Sequence, residues 1–94
     1  MTQSYHFYIL KCSDGSYYVG SAANLKDRVE RHNQGRGPSY TSKRLPVQLV
    51  YHERFNSLDG AVKRERQVKK WSRAKKEALI NGELERLKKL SKSQ

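Results

Sequence analysis

The chain predicts an α/β fold of the α+β kind: a small three-stranded antiparallel sheet flanked by helices, in the order β-β-α-β-α-α. Three observations predict it. Two aromatic and β-branched runs, Tyr5–Lys11 and residues 17–21, flank the turn signal Ser13-Asp14-Gly15 and read as a hairpin. A third such run, residues 46–55, follows a helical segment and a Gly/Pro/Ser-rich stretch. The remainder repeats apolar residues at helical spacing. At 94 residues one domain is expected. Residues 1–82 form it, and residues 83–94 add a short helix and a basic tail.

The length of the first turn decides where two tyrosines point. A two-residue turn centred on Asp14-Gly15 pairs Ser13 with Ser16 and sends Tyr8 and Tyr18 to opposite faces. A three-residue loop, with Gly15 in the left-handed region and a bulge, pairs Cys12 with Ser16. Tyr8 then lies opposite Gly20 and Tyr18 opposite Leu10, so both rings share a face and Gly20 leaves room above Tyr8. The second register is the one expected. Asn24 is a good N-cap for the next helix, Leu25–Asn33, with Asp27 in the first turn where the dipole favours negative charge. Gly35 ends it. Leu25, Arg28, Val29 and His32 fall on one stripe, so Arg28 and His32 stand one turn apart beside the apolar contacts.

Residues 34–44, QGRGPSYTSKR, read as a loop. Its Arg36, Tyr40, Lys43 and Arg44 suit contact with phosphates and bases, and equally suit a solvated connector. In the third strand, alternation puts Val47, Leu49 and Tyr51 on one face. Asn56 or Ser57 caps the following helix, where Leu58, Ala61, Val62, Glu65 and Val68 share a stripe and Trp71 follows as a core residue. Glu65 is the odd member. It is the only acid between Ala61 and Lys76, a segment with eight Lys and Arg, and burying it demands a cation. The basic residues around it, Lys69, Lys70, Lys75 and Lys76 included, read as a solvated face turned to nucleic acid. Ser72 breaks the helix and caps a short one that packs through Ala74, Ala78, Leu79 and Ile80. Asn81-Gly82 interrupts it. Leu84, Leu87 and Leu90 then line one side of a last amphipathic segment, before a disordered tail over residues 91–94.

Composition narrows the function classes. Lys and Arg number 20 against 9 acids, a net charge of +11, which attracts polyanions, nucleic acid first and an anionic membrane surface second. No run of 18 apolar residues exists, so nothing spans a bilayer as a helix, and the first residues lack the pattern of a signal peptide. The single Cys12 forms no internal disulfide, and Cys12 with His6, His32 and His52 shows no zinc spacing. A cytoplasmic protein without structural metal is expected.

The ordered set His6-Phe7-Tyr8, Tyr18-Val19-Gly20, Arg28, His32 and Glu65 resembles the GIY-YIG nuclease superfamily. The chain looks most like its small stand-alone bacterial members, which are similar to the amino-terminal domain of an excision-repair nuclease. The resemblance covers residues 5–80. It departs at His6 and Phe7, where the first motif has glycine and isoleucine, and at Val19 for the second isoleucine; Asn81 is the nearest candidate for a late asparagine. The resemblance implies the GIY-YIG endonuclease fold and hydrolysis of DNA phosphodiesters in repair or recombination. It implies Glu65 as ligand of one divalent cation, Mg²⁺ or Mn²⁺, which keeps most of its waters. Arg28 would fork onto the scissile phosphate. Tyr8 would take a proton from the attacking water, provided that Arg28 or the metal lowers a phenol pKa of about 10. Tyr18 would orient water or phosphate, and His32 would bond the phosphate or assist proton transfer. Lys11 can reach the same cleft.

Two other functions compete. A nucleic-acid-binding module of the same fold without catalysis suits the small size, and an RNA- or ribosome-associated protein suits the charge alone. Each residue taken singly also has a structural explanation: strand aromatics for Tyr8 and Tyr18, a helix-end residue for His32, an ion pair for Arg28 and Glu65.

Overall fold

The computed structural model describes residues 4–92. Its elements are β1 (Tyr5–Lys11), β2 (Tyr17–Ala22), α1 (Leu25–Asn33), α2 (Ser39–Ser42), β3 (Gln48–Phe55), α3 (Leu58–Lys69), α4 (Arg73–Ile80) and α5 (Leu84–Lys92). The three strands form one antiparallel sheet in the order β2-β1-β3. β1 is central and hydrophobic on both sides, so both faces of the sheet need cover. Phe7 and Ile9 join Val19, Val68 and Leu79 under α3 and α4. Tyr8 and Leu10 join Cys12, Ala22 and Val47, with Leu25 and Val29 of α1 packed against them.

The three-residue turn is as expected. Cys12 N donates to Ser16 O at 2.8 Å, Gly15 N to Cys12 O at 2.9 Å, and Gly15 has φ +85°. Tyr8 therefore pairs with Gly20 and Leu10 with Tyr18. The helix caps also follow the sequence: Asn24, Ser57 and Ser72 accept from the backbone N–H of Asp27, Gly60 and Lys75. Past α1, Gly35 takes φ +76° and its N–H donates to His32 O at 3.0 Å.

Several expectations need correction. The third strand starts at Gln48, and a bulge between Ile9 and Leu10 places Ile9 opposite Tyr51 but Leu10 opposite Leu49. The extra residue, Val50, breaks the alternation. Val47 and Leu49 pack on the Tyr8 face, whereas Tyr51 packs with Phe7 on the other. Residues 34–44 are no plain loop, since Ser39–Ser42 closes a helical turn and Thr41 is buried. Lys75, expected on a solvated face, is 7% exposed with Nζ 4.4 Å from the Trp71 ring centre, Arg64 lying over the same ring at 5.3 Å. Ser91 and Lys92 of the expected tail belong to α5, and residues 93–94 lie outside the described residues. In α5, Leu87 reaches the core and Leu84 is exposed.

Gly20 is required by close approach. A β-carbon there would sit 2.5 Å from Tyr8 Oη and 2.6 Å from its Cζ, and the Tyr8 ring is 1% exposed and cannot swing clear. Gly20→Ala is expected to cost about 1–3 kcal/mol in chemical denaturation.

Candidate active site

The β1–β2 register and α1 together build a buried polar chain. Tyr8 reaches across Gly20 toward His32, the penultimate residue of α1. The Tyr8 hydroxyl lies 3.1 Å from His32 Nε2, and His32 Nδ1 lies 2.8 Å from Thr41 Oγ1. Thr41 donates its own hydroxyl proton to Pro38 O at 3.1 Å, so toward His32 it can only accept. This network assigns the proton to Nδ1 and leaves the Nε2 lone pair to accept from the Tyr8 phenol. His32 and Thr41 are each fully buried.

Electrostatics hold the chain neutral. Burial pushes the Tyr8 phenol up to about 12, with Tyr18 and Glu65 adding to the rise and Arg28 pulling the other way. The expected effect of Arg28 is thus present in sign but outweighed by desolvation. Burial, then the Arg28 charge, lowers the pKa of His32. Both His32 nitrogens are committed inside the protein, so its ring does not face a phosphate.

Tyr18 shares the face. Its ring centre is 5.3 Å from that of His32 and 6.2 Å from that of Tyr40. Arg28 is exposed on α1, close enough for its charge to act on Tyr8 and His32. Glu65 comes from α3, on the far face, and meets the sheet at its β2 edge. Its Oε1 accepts from Ser21 Oγ at 2.7 Å and its Oε2 from Lys69 Nζ at 3.1 Å. The cation that Glu65 demands is therefore Lys69, and among the described residues no salt bridge joins it to Arg28. Its carboxylate charge is felt at Tyr8, so the two sides of the β2 edge share one field.

Other expected contacts are distributed less closely. Arg44 is committed as a strut: Nε bonds Asp14 at 2.9 Å, Nη1 bonds Tyr40 O at 2.9 Å, and the guanidinium lies 4.0 Å over the Tyr40 ring. Lys11, Arg36, Lys43 and Lys70 are exposed. Tyr40 borders a cleft with Tyr17, Tyr18, Val19, Lys69 and Lys76.

Three contributors escaped the sequence reading. Thr41 fixes the imidazole. Gly37 lets residues 34–44 close over it, since a β-carbon there would stand 2.6 Å from His32 Nδ1 and 3.0 Å from Thr41 Oγ1. Asn33 locks α1 to the start of β3, accepting from Val47 N at 2.8 Å and donating to Val47 O at 3.1 Å. A Thr and a Gly in a Ser/Gly-rich stretch carry no distinguishing signal.

A hairpin with paired tyrosines, a following helix that supplies arginine and histidine, and a glutamate from a later helix define a GIY-YIG type of domain. The model of the GIY-YIG catalytic domain family matches residues 4–78, and the chain belongs to that family. It is 49% identical to a UPF0213 protein of Staphylococcus aureus over 77 residues, 82% of this chain and 94% of that one. It is 48% identical to one of Staphylococcus saprophyticus over the same length. Among solved structures it resembles the solution structure of a UPF0213 protein from Bacillus halodurans (40% identity, 83% of each chain, TM-score 0.54). It also resembles that of a protein from E. faecalis (37% identity, 85% of each chain, TM-score 0.58).

The buried chain has consequences for stability. Thr41→Val leaves a buried His32 N–H without an acceptor and is expected to cost about 1–3 kcal/mol in urea denaturation. Stability also depends on pH. The folded His32 and His6 both have pKa values below the usual 6.5, His6 through burial, then His52 and Arg54. The unfolded chain binds more protons in acid, so stability is complete above the unfolded value and is lost as pH falls through the folded ones. Tm should drop as pH falls from about 7 to about 5, and His32→Gln should flatten that drop in part.

Proposed function

We propose that the protein is a metal-dependent DNA endonuclease that hydrolyses phosphodiester bonds by nicking or structure-directed cleavage. The observation that carries this is the buried Tyr8–His32–Thr41 chain opening beside Tyr18 and Arg28, with Glu65 across the β2 edge. The +11 charge supports a polyanionic substrate.

The chemistry follows from the hydrogen-bond directions. Tyr8 donates to His32 Nε2, so its oxygen keeps acceptor capacity, shared between Arg28, which hydrogen-bonds it, and an incoming water. As that water attacks phosphorus, Tyr8 Oη accepts its proton while passing its own to Nε2. No free phenolate forms, which suits a phenol held at about 12. Nδ1–H stays on Thr41 throughout. Arg28 stabilises negative charge on the phosphoryl oxygens, and Tyr18 orients the phosphate.

The donor chemistry of Glu65 fits a hard cation such as Mg²⁺ or Mn²⁺. Ser21 orients one carboxylate oxygen, and among the described residues no cluster of three or more His, Cys, Asp or Glu offers a rival. One ion held there would supply further neutralisation of phosphoryl and leaving-group charge. Lys69 occupies the other oxygen and must be displaced or share it.

The test is nicking of supercoiled plasmid with Mg²⁺ or Mn²⁺. Glu65→Gln, Arg28→Ala and Tyr8→Phe should each slow nicking about a hundredfold or more. Because His32 must start neutral and its pKa is lowered, the acid limb of the rate should lie below pH 6.5. Absence of cleavage on duplex, flap, bubble and branched DNA would leave a binding module of the same fold.

A further inference from the structure

The cleft beside Tyr18 carries groups that this chemistry does not use. It lies along β2, the edge strand, encloses about 240 Å³, and is lined by Tyr17, Tyr18, Val19, Tyr40, Lys69 and Lys76. That volume is below the range that encloses drug-sized ligands, so it takes one backbone unit rather than a separate small molecule.

The charges around it are unevenly matched. Glu65 holds Lys69 at 3.1 Å. Glu77, beside Lys76 in sequence, is taken by Arg73 at 3.5 Å and by the Tyr17 hydroxyl at 3.3 Å. Lys76 forms no salt bridge among the described residues, yet it is half-buried, and that burial lowers its pKa. A cation poorly solvated by water and facing no carboxylate is stabilised by an arriving anion. Any cation that takes over Glu65 releases Lys69 into the same cleft. Tyr40 is 38% exposed, with Arg44 over its ring, which gives the cleft an aromatic, positively charged wall.

We propose that this cleft is a phosphate subsite for the DNA strand, in which Lys76, assisted by Lys69, grips the phosphodiester neighbouring the one presented to Tyr8 and Tyr18, with Tyr40 against the adjoining nucleoside. It rests on DNA being the substrate. It makes β2 a rail between two phosphates: one at the tyrosine pair, the next at Lys76.

Binding without catalysis tests it. The full chain is titrated in EDTA against a fluorescein-labelled 12-nucleotide single strand and the matching duplex, over a series of NaCl concentrations. Lys76→Met keeps the aliphatic stem and removes the charge. It should weaken binding about tenfold and flatten the slope of log K against log salt by about 0.7–0.9, one phosphate contact. Lys76→Arg should keep the slope. Lys26→Met is the charge-matched control, because Lys26 lies on α1 in the groove with Leu25, Val29 and Leu49; its slope should equal that of the wild type. A Lys76→Met slope equal to that of Lys26→Met overturns the subsite, and if Glu65-dependent nicking persists, the nuclease reading stands without it. A wild-type chain that binds neither DNA overturns both.

Discussion

The Tyr8 hydroxyl sits 3.1 Å from His32 Nε2, in space that exists only because residue 20 has no side chain. Most of the domain is arranged to hold that contact. The bulged Ser13-Asp14-Gly15 turn sets the register that puts Gly20 opposite Tyr8. Asn24 starts α1 so that His32 falls in its last turn, and the paired bonds of Asn33 to Val47 tie that end to the start of β3. Residues 34–44 then close over the imidazole through Gly37 and Thr41. A one-residue slip at the hairpin would turn Tyr8 into the Phe7–Ile9 core and leave His32 buried without its partner.

Two opposing effects act on this contact, and the larger one sets its chemistry. Arg28 favours an ionised phenol, as any nearby cation does, but burial of the ring opposes it more strongly and the phenol rises to about 12. The same burial, reinforced by Arg28, keeps His32 neutral. A protonated phenol bonded to a bare imidazole nitrogen is a poised pair. Neither group carries charge in the resting protein. An ionised tyrosine in the same space would have required an uncompensated buried anion.

The acids are placed with equal economy in a chain of +11. Asp14 holds Arg44 against the hairpin turn, and Glu53 takes Arg64 beside Tyr51. Glu77 takes Arg73, and Glu65 takes Lys69 at the β2 edge. The pairs of Asp14 and Glu53 fasten separate segments together and those of Glu77 and Glu65 lie within α4 and α3, while Lys76, Arg36 and Lys43 form no salt bridge among the described residues. Glu65 differs from the other acids in being both hydrogen-bonded by a serine on the edge strand and felt electrically by Tyr8 on the opposite face.

Local signals sufficed wherever the physics is local. Turn chemistry at Ser13-Asp14-Gly15, N-caps at Asn24, Ser57 and Ser72, and helical spacing of Leu25, Val29 and His32 all act within a few residues, and each was readable from the chain. Family order also marked Tyr8, Tyr18, Arg28, His32 and Glu65 as one set; the fold brings Tyr8, Tyr18 and His32 together on one face and Glu65 to the β2 edge from the other. What escaped depends on contacts between distant segments. The Val50 bulge answers to the fit of β3 against β1, so alternation along β3 alone sent Tyr51 to the wrong face. Lys75 looked solvated because its burial is decided by Trp71 and the core beneath. Thr41 and Gly37 are ordinary loop residues until the chain folds back over His32. The direction of the Tyr8 shift was likewise unreadable: a sequence displays the neighbouring charge, but only tertiary structure sets how much water is removed, and desolvation is the larger effect here.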